Sequence, residues 1–273
     1  MRSQSGDWSE AIRSARDHRE FVGPADEYDV NAAMQFSLLT YLGLRESHTL
    51  LDIGCGSLRG GRLFIVYLLP ARYFGIEPEQ WLVECGIREE IGTDLIELKS
   101  PSFSYNRDFA CTVFDRKFDY ILAQGVFVHA PEWQIRECIS EAAKCMKPTS
   151  ILAATYMQGN ENYSGSEWVY PETTTYTPIR MAEIASAAGL SCIPIAWPHP
   201  RGANWILLSS SENEKRMGHL TEGAHRRDLR EKLYRLQGRL TESEQTLSQL
   251  IRHPYVKTGV EIRRFLGRLL GLK

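Results

Sequence analysis

The feature that most constrains this chain is a short apolar run ending in bare backbone, Leu50-Leu51-Asp52-Ile53-Gly54-Cys55-Gly56. A strand that hands over to closely spaced glycines needs a sharp bend and a backbone that something else can approach. The pattern around it sets the register of the chain. A strand is expected over 48–53, a helix over 60–69 stopped by Pro70, a second strand over 72–76 and a helix over 79–91. Further on come a strand over 118–123, a helix over 132–146 and a strand over 150–156. Thr177-Pro178 and Gly189 bracket one more helix by their capping chemistry. Two last apolar runs, 190–197 and 204–208, have only a short link over 199–203 between them and read as an antiparallel pair. Strands alternating with helices give an α/β class, with a mostly parallel sheet, helices on both faces and the antiparallel pair at its end.

Two flanking segments differ in character. Residues 1–47 read as a helical lid: an amphipathic stretch over 9–21, a Gly23-Pro24 break, then a helix over 31–42 whose Met34, Leu38, Leu39 and Leu42 share a face. A linker is expected over 209–214, separating the 48–213 domain from a 214–273 tail. In the tail Leu229, Leu233, Leu236, Leu240, Ser243, Leu247 and Leu250 alternate in steps of four and three, which is a coiled-coil seam or a helix packing back on its own domain. After His253-Pro254 an amphipathic helix carries Arg263, Arg264, Arg268 and Lys273, suited to an anionic membrane surface or to completing a homo-oligomer. Charge follows the same division: residues 215–273 hold 14 Lys+Arg against 6 Asp+Glu, the remainder 18 against 28. Six cysteines form no CxxC pair, the first residues hold no apolar run and no stretch is long enough to span a bilayer. A reduced, cytoplasmic setting is the expectation, with peripheral association at the inner membrane face through the tail.

A dinucleotide fingerprint G-x-G-x-x-G fails here, because its third glycine would fall on Arg59. An acid two residues before the first glycine suits the cationic methionine end of S-adenosylmethionine better than a pyrophosphate. Over 48–209 the chain resembles the class I, Rossmann-like S-adenosylmethionine-dependent methyltransferase superfamily. Asp52, Gly54 and Gly56 match that family's D-x-G-x-G turn, with Cys55 packed inside it. The resemblance implies that Glu77, 25 residues after Asp52 and ending the second strand, holds the ribose hydroxyls. It implies that Asp108 and Phe109 meet the adenine, and that Gln124, ending the fourth strand, lies beside the transferred methyl. Met146-Lys147-Pro148 resembles the family's turn before the fifth strand, with Thr149 and Ser150 in place of glycines. The third motif glycine is replaced by Leu58, so either the turn has another shape or Arg59 serves a separate contact.

His129, just past the fourth strand, is the candidate general base for an oxygen acceptor, or else a packing residue at the start of a helix. The long 158–176 loop holds Tyr163, Trp168, Tyr170 and Tyr176, aromatics that suit a sugar face or close a hydrophobic lid. Tyr28, Tyr156, Trp168, Tyr170 and His199 form the expected substrate side, with Gln35 beside Tyr28 as a lid element; Arg201 reads as a surface turn. No paired carboxylates suggest a metal. The acidic body and the absence of an Asn/Asp-Pro-Pro-Tyr block argue against nucleic acid. These features point to methylation of a sugar, glycan or other small-molecule hydroxyl, in an enzyme whose tail resembles appendages of surface-polysaccharide enzymes. The competing function is a scaffold with a vestigial methyltransferase fold, held by the heptads.

Overall fold

The computed structural model describes residues 17–252. Its elements run α1 His18–Phe21, α2 Tyr28–Tyr41, β1 Leu50–Ile53, α3 Gly61–Tyr67, β2 Tyr73–Ile76, α4 Gln80–Cys85, α5 Thr93–Lys99 and β3 Ser102–Ser104. Then come β4 Phe118–Ala123, α6 Glu132–Lys144, β5 Met146–Gln158, β6 Thr175–Tyr176, α7 Pro178–Ala187, β7 Ser191–Ile195, β8 Asn204–Ser209 and α8 Glu214–Arg252. The sheet order is β3-β2-β1-β4-β5-β8-β7, with β6 pairing β5 at its far end. Strands β3, β2, β1, β4 and β5 are mutually parallel, while β8 runs antiparallel to both β5 and β7. The mostly parallel sheet and terminal antiparallel pair are therefore as the sequence predicts.

Period-two alternation sorts the strand side chains onto two cores. Leu51, Ile53, Ile121, Ala123, Leu152 and Ala154 face α6 and α7, whose Ile135, Cys138, Ile139 and Met181 cover them. Leu50, Tyr120, Leu122, Ile151 and Ala153 face the other way, onto Leu38 and Leu39 of α2 and Phe64 of α3. A parallel sheet needs this double cover, and its strands read as near-continuous apolar runs for that reason. The Thr177 hydroxyl accepts from Arg180 N at 3.2 Å and Pro178 occupies the first turn, so α7 starts where its capping residues place it.

Several expectations are corrected. The expected 79–91 helix is α4 followed by one widened turn, Gly86–Ile91, and the short α5 and β3 were not anticipated. The expected turn at Met146-Lys147-Pro148 is the first part of β5, joined to β4 through a register shift between Phe118 and Tyr120. The expected linker over 209–214 is a 3-10 turn, Ser211–Asn213, running straight into α8. Asn213 is buried and donates to Thr149 O at 3.2 Å, and Ser210 donates to Pro148 O at 2.7 Å, so this segment is tied to the sheet.

Packing divides the chain between His225 and Arg226. In the first unit Met217 and Ala224 of α8 are fully buried and Tyr41 Oη donates to Leu220 O at 2.7 Å, so the opening turns of α8 belong to the body's core. In the second unit Leu229, Leu233, Leu236 and Leu240 are 52–60% exposed. The expected basic helix after Pro254 and most of the stretch over 9–21 lie outside the described residues. Among the described residues no helix is long and apolar enough to cross a membrane.

Candidate active site

In an open α/β sheet the strand order reverses beside the first strand, and the crevice outside the carboxyl ends of the strands there is the natural ligand site. Here the reversal lies between β1 and β4. A cavity of about 790 Å³ opens at that edge, within the range of about 300–1,000 Å³ usual for ligand sites.

Its floor is the turn after β1. Gly54 has φ +69° and a Cβ there would lie 2.7 Å from Val126 Cγ2. Gly56 has φ +54° and a Cβ would lie 2.8 Å from Val22 Cγ1. Any side chain at either position is both strained and obstructed, so the glycines are dictated by the bend. Gly54 N and Cys55 N both donate to Ile76 O, at 2.8 and 3.1 Å, which clamps the turn to the end of β2. Leu58 takes φ +61°, so the bend keeps a left-handed residue even though the sequence offers no third glycine.

Two buried carboxylates line this cavity. Glu77 accepts Gly56 N through Oε2 at 2.9 Å and Glu79 N through Oε1 at 3.0 Å. Each oxygen keeps acceptor capacity beyond its one amide. Burial raises the Glu77 pKa, against the two amide hydrogen bonds that favour its charge. Asp52 is 4% exposed and accepts Tyr73 Oη at 2.7 Å. Burial pushes its pKa up to about 7, with the Tyr73 hydroxyl opposing the rise. The charge of Arg59 also opposes the rise, but no cation forms an ion pair with Asp52 among the described residues, and burial prevails. Cys55, buried beside them, is pushed well up by burial, as suits a packing residue rather than a nucleophile.

The opposite side of the cavity is made by loops after β4, β5 and β7. Val169 N donates to His129 O at 3.1 Å and Thr174 N to Val128 O at 2.8 Å, fastening the loop after β5 to the one after β4. His129 Nδ1 lies 2.5 Å from Glu172 O. A carbonyl only accepts, so Nδ1 carries the proton and Nε2 is left as the free basic nitrogen. Burial lowers the His129 pKa, keeping the ring neutral. Trp168 and Tyr170 pack on it with ring centroids 5.8 and 5.0 Å away. The Tyr170 hydroxyl donates to Phe21 O, and Phe21 stacks between Tyr170 and Trp81, so the lid segment and the aromatic loop meet over the site.

Gln124, at the end of β4, joins the two sides. Its Oε1 accepts from Arg59 Nη2 at 2.7 Å and Gln35 Nε2 at 2.9 Å, which aims its amide nitrogen at His199 Nε2, 3.2 Å away. Arg59 Nη1 also donates to Val22 O at 2.7 Å. Burial and the two arginines Arg59 and Arg201 lower the His199 pKa to about 4, which makes it a poorer base than His129.

No protein-family model matches the chain. Among solved structures, the glycopeptide N-methyltransferase MtfA complexed with S-adenosyl-L-methionine is similar over 66% of this chain and 94% of its own, with a TM-score of 0.51 and 9% identity. The same enzyme with S-adenosyl-L-homocysteine covers 67% and 90% at a TM-score of 0.50 and 12% identity. DesVI of Streptomyces venezuelae is similar over 77% of this chain and 100% of its own, with a TM-score of 0.50 and 12% identity. This is a methyltransferase fold. At such identities the likeness is one of architecture.

Within that methyltransferase fold the cavity gathers Asp52, Gly54, Cys55, Gly56, Glu77, Phe109, Gln124, His129, Trp168, Tyr170 and His199 of the expected residues. Three others are corrected. Tyr28 does not line it: the ring is fully buried and its hydroxyl donates to Ser57 O at 2.9 Å, which pins the start of α2 beneath the turn. Tyr156 is 2% exposed in the α6/α7 core, while its neighbour Met157 faces the cavity. Asp108 is exposed, does not line the cavity, and has Ala110 N 3.4 Å from its Oδ1. Arg201 does lie on an exposed turn, as read, and that turn, next to Gly202 (φ +72°), also lines the cavity. Tyr176, from the aromatic loop, is core, its hydroxyl donating to Ala130 O at 2.9 Å. Phe21, Asn31 and Asn106 also line the cavity, and no motif or spacing in the sequence singles them out.

Proposed function

We propose that this protein is an S-adenosylmethionine-dependent methyltransferase that methylates a hydroxyl of a sugar, glycan or other small molecule. The observation that carries the proposal is one cavity whose β1–β2 side presents two buried carboxylates on a glycine cradle and whose β4–β7 side presents a neutral histidine among aromatics.

The residues fit the cofactor. A Cβ at Gly54 or Gly56 would intrude on the cradle, and Asp52 is a buried acid with no ion-pair partner among the described residues. Asp52 would hold the ammonium of the methionine end, Glu77 the ribose hydroxyls with the acceptor capacity its two amides leave, and Phe109 the purine face. Bound there, S-adenosylmethionine supplies a methyl group already activated as a sulfonium. The protein's remaining tasks are alignment and proton removal. His129 takes the acceptor hydroxyl's proton on Nε2, and Glu172 O stabilises the resulting imidazolium through Nδ1–H. Trp168 and Tyr170 offer an apolar wall with polar tips for a sugar face.

Arg59 has a contact of its own, to Gln124 and Val22 O, and the turn keeps its bend at Leu58; both features weigh against a vestigial site. The four exposed leucines of α8 support pairing of its 226–252 portion with a second copy of the chain. Under the same proposal the basic segment beyond Pro254 brings a cytoplasmic enzyme to an anionic membrane face.

The test is transfer of radiolabelled methyl from S-adenosylmethionine into host extract divided into glycan, lipid, protein and small-molecule pools. Label on oxygen in the glycan or small-molecule pool is the expected result. Label confined to protein contradicts the acceptor class.

A further inference from the structure

The acceptor side of the cavity holds more positive charge than proton removal requires. Arg59 leaves the turn after β1, and its guanidinium makes two hydrogen bonds, to Val22 O and to Gln124 Oε1 at the end of β4, both with neutral oxygens. Arg201 reaches the rim from the link after β7. Neither guanidinium makes an ion pair among the described residues. By contrast Arg107, the other arginine on the cavity, is paired with Glu79 at 3.0 Å.

We propose that Arg59 and Arg201 form an anion subsite, and that the methyl acceptor carries a carboxylate or a phosphate group seated there. Three further observations converge on this end of the site. His199 sits between the two arginines: its Nε2 lies 3.2 Å from the amide of Gln124, which Arg59 engages, its Nδ1 accepts Arg201 N at 3.2 Å, and both charges lower its pKa together with burial. The two guanidinium groups also act on each other, lowering the Arg59 pKa in the same direction as its burial. Two guanidinium groups without an ion pair among the described residues, one partly buried and one exposed at the rim, favour the entry of an anion. Asp52 and Glu27 lie within electrostatic reach of Arg59, and under the proposed function Asp52 is engaged by an ammonium. The cofactor's sulfonium would add positive charge at this end of the site, and its own carboxylate is the anion that competes for Arg59. Planar guanidinium forks suit both carboxylate and phosphate oxygens, and the geometry alone favours neither.

The inference rests on the proposed function for the word acceptor, while anion binding is measurable without it. Full-length protein is titrated with glucose, glucuronate and glucose 1-phosphate, with and without saturating S-adenosylmethionine, reading Trp168-dependent tryptophan emission and ligand-observed NMR. Either charged sugar is expected to bind about tenfold or more tighter than glucose, as charge-assisted hydrogen bonds predict; which one prevails identifies the acceptor group. Arg201→Gln should erase most of that preference with the cofactor Kd unchanged, and Arg59→Lys should weaken it partly while keeping the charge. Glucose binding as tightly as both charged sugars overturns the inference. So does a preference untouched by Arg201→Gln, or Arg59→Lys weakening only the cofactor, which would assign that guanidinium to the cofactor's own carboxylate. Failure of S-adenosylmethionine to bind, with the charged-sugar preference intact, refutes the proposed function and leaves the anion subsite standing.

Discussion

The two sides of the cavity are built in different ways. The β1–β2 side comes from 26 consecutive positions, Asp52 to Glu77, and most of its work is done by backbone: two glycines at positive φ, three amides committed to Ile76 O and Glu77, and two carboxylates. The β4–β7 side is assembled from side chains on separate loops, Gln124, His129, Trp168, Tyr170, His199 and Arg201, fastened by loop-to-loop hydrogen bonds. A site made of backbone tolerates little change of residue and suits a fixed ligand. A site made of loop side chains can change its ligand without disturbing the fold. The first side is where the proposed function seats the invariant cofactor, the second where it seats the acceptor.

The sharpest way to separate the two sides is His129→Ala. Turnover should fall by about 10²–10⁴-fold, the usual weight of a general base, while the S-adenosylmethionine Kd stays within about twofold. Single-turnover kinetics beside calorimetry reads both numbers, and full activity in the variant removes His129 as base. Next in size, Glu77→Ala should weaken S-adenosylmethionine by about 100-fold, the loss expected when charged hydrogen bonds to a ribose disappear. An unchanged Kd there would move the cofactor off the β2 edge.

A smaller effect follows from Asp52. Its pKa of about 7 means that the carboxyl is largely protonated at mildly acid pH. A bound ammonium favours the ionised form, so binding expels the proton and affinity is penalised below that pKa. Affinity should therefore rise by about eightfold between about pH 6 and about pH 7.5, still below the α-amino pKa of the ligand. Calorimetry in buffers of different ionisation enthalpy should register proton release at the lower pH. A flat profile would mean that Asp52 does not meet the ammonium. Smallest of all, Asp108→Ala should change cofactor affinity by less than about twofold, because that carboxylate lies outside the cavity on an exposed turn.

The contrast also explains what was legible in the sequence. The Asp52–Gly56 turn and Glu77 could be read because a tight bend and a ribose acceptor each permit few residue types at fixed spacing. The mostly parallel sheet and its terminal antiparallel pair followed from the alternation of strands and helices and from the short link between the last two strands. Tyr156 was misplaced by parity: it shares the β5 face of Leu152 and Ala154, which is core, and Met157 takes the cavity side. Tyr28 was misplaced because an aromatic at a helix start carries no signal of whether its hydroxyl meets a ligand or, as here, a backbone carbonyl. The exposed turn at Arg201 was legible, but its place at the cavity was not, because that depends on β7 ending at the same sheet edge as β1, a consequence of topology rather than of neighbours in sequence. The short α5 and β3 lack the length for a clear period, and the widened turn Gly86–Ile91 breaks the helical rhythm just before them.

The most direct measurement is a crystal structure of the protein with S-adenosylhomocysteine. The account predicts the ribose hydroxyls on the Glu77 carboxylate, the amino group at Asp52, and the sulfur directed towards His129. A nucleoside bound elsewhere, or bound with Glu77 and Asp52 untouched, would contradict it.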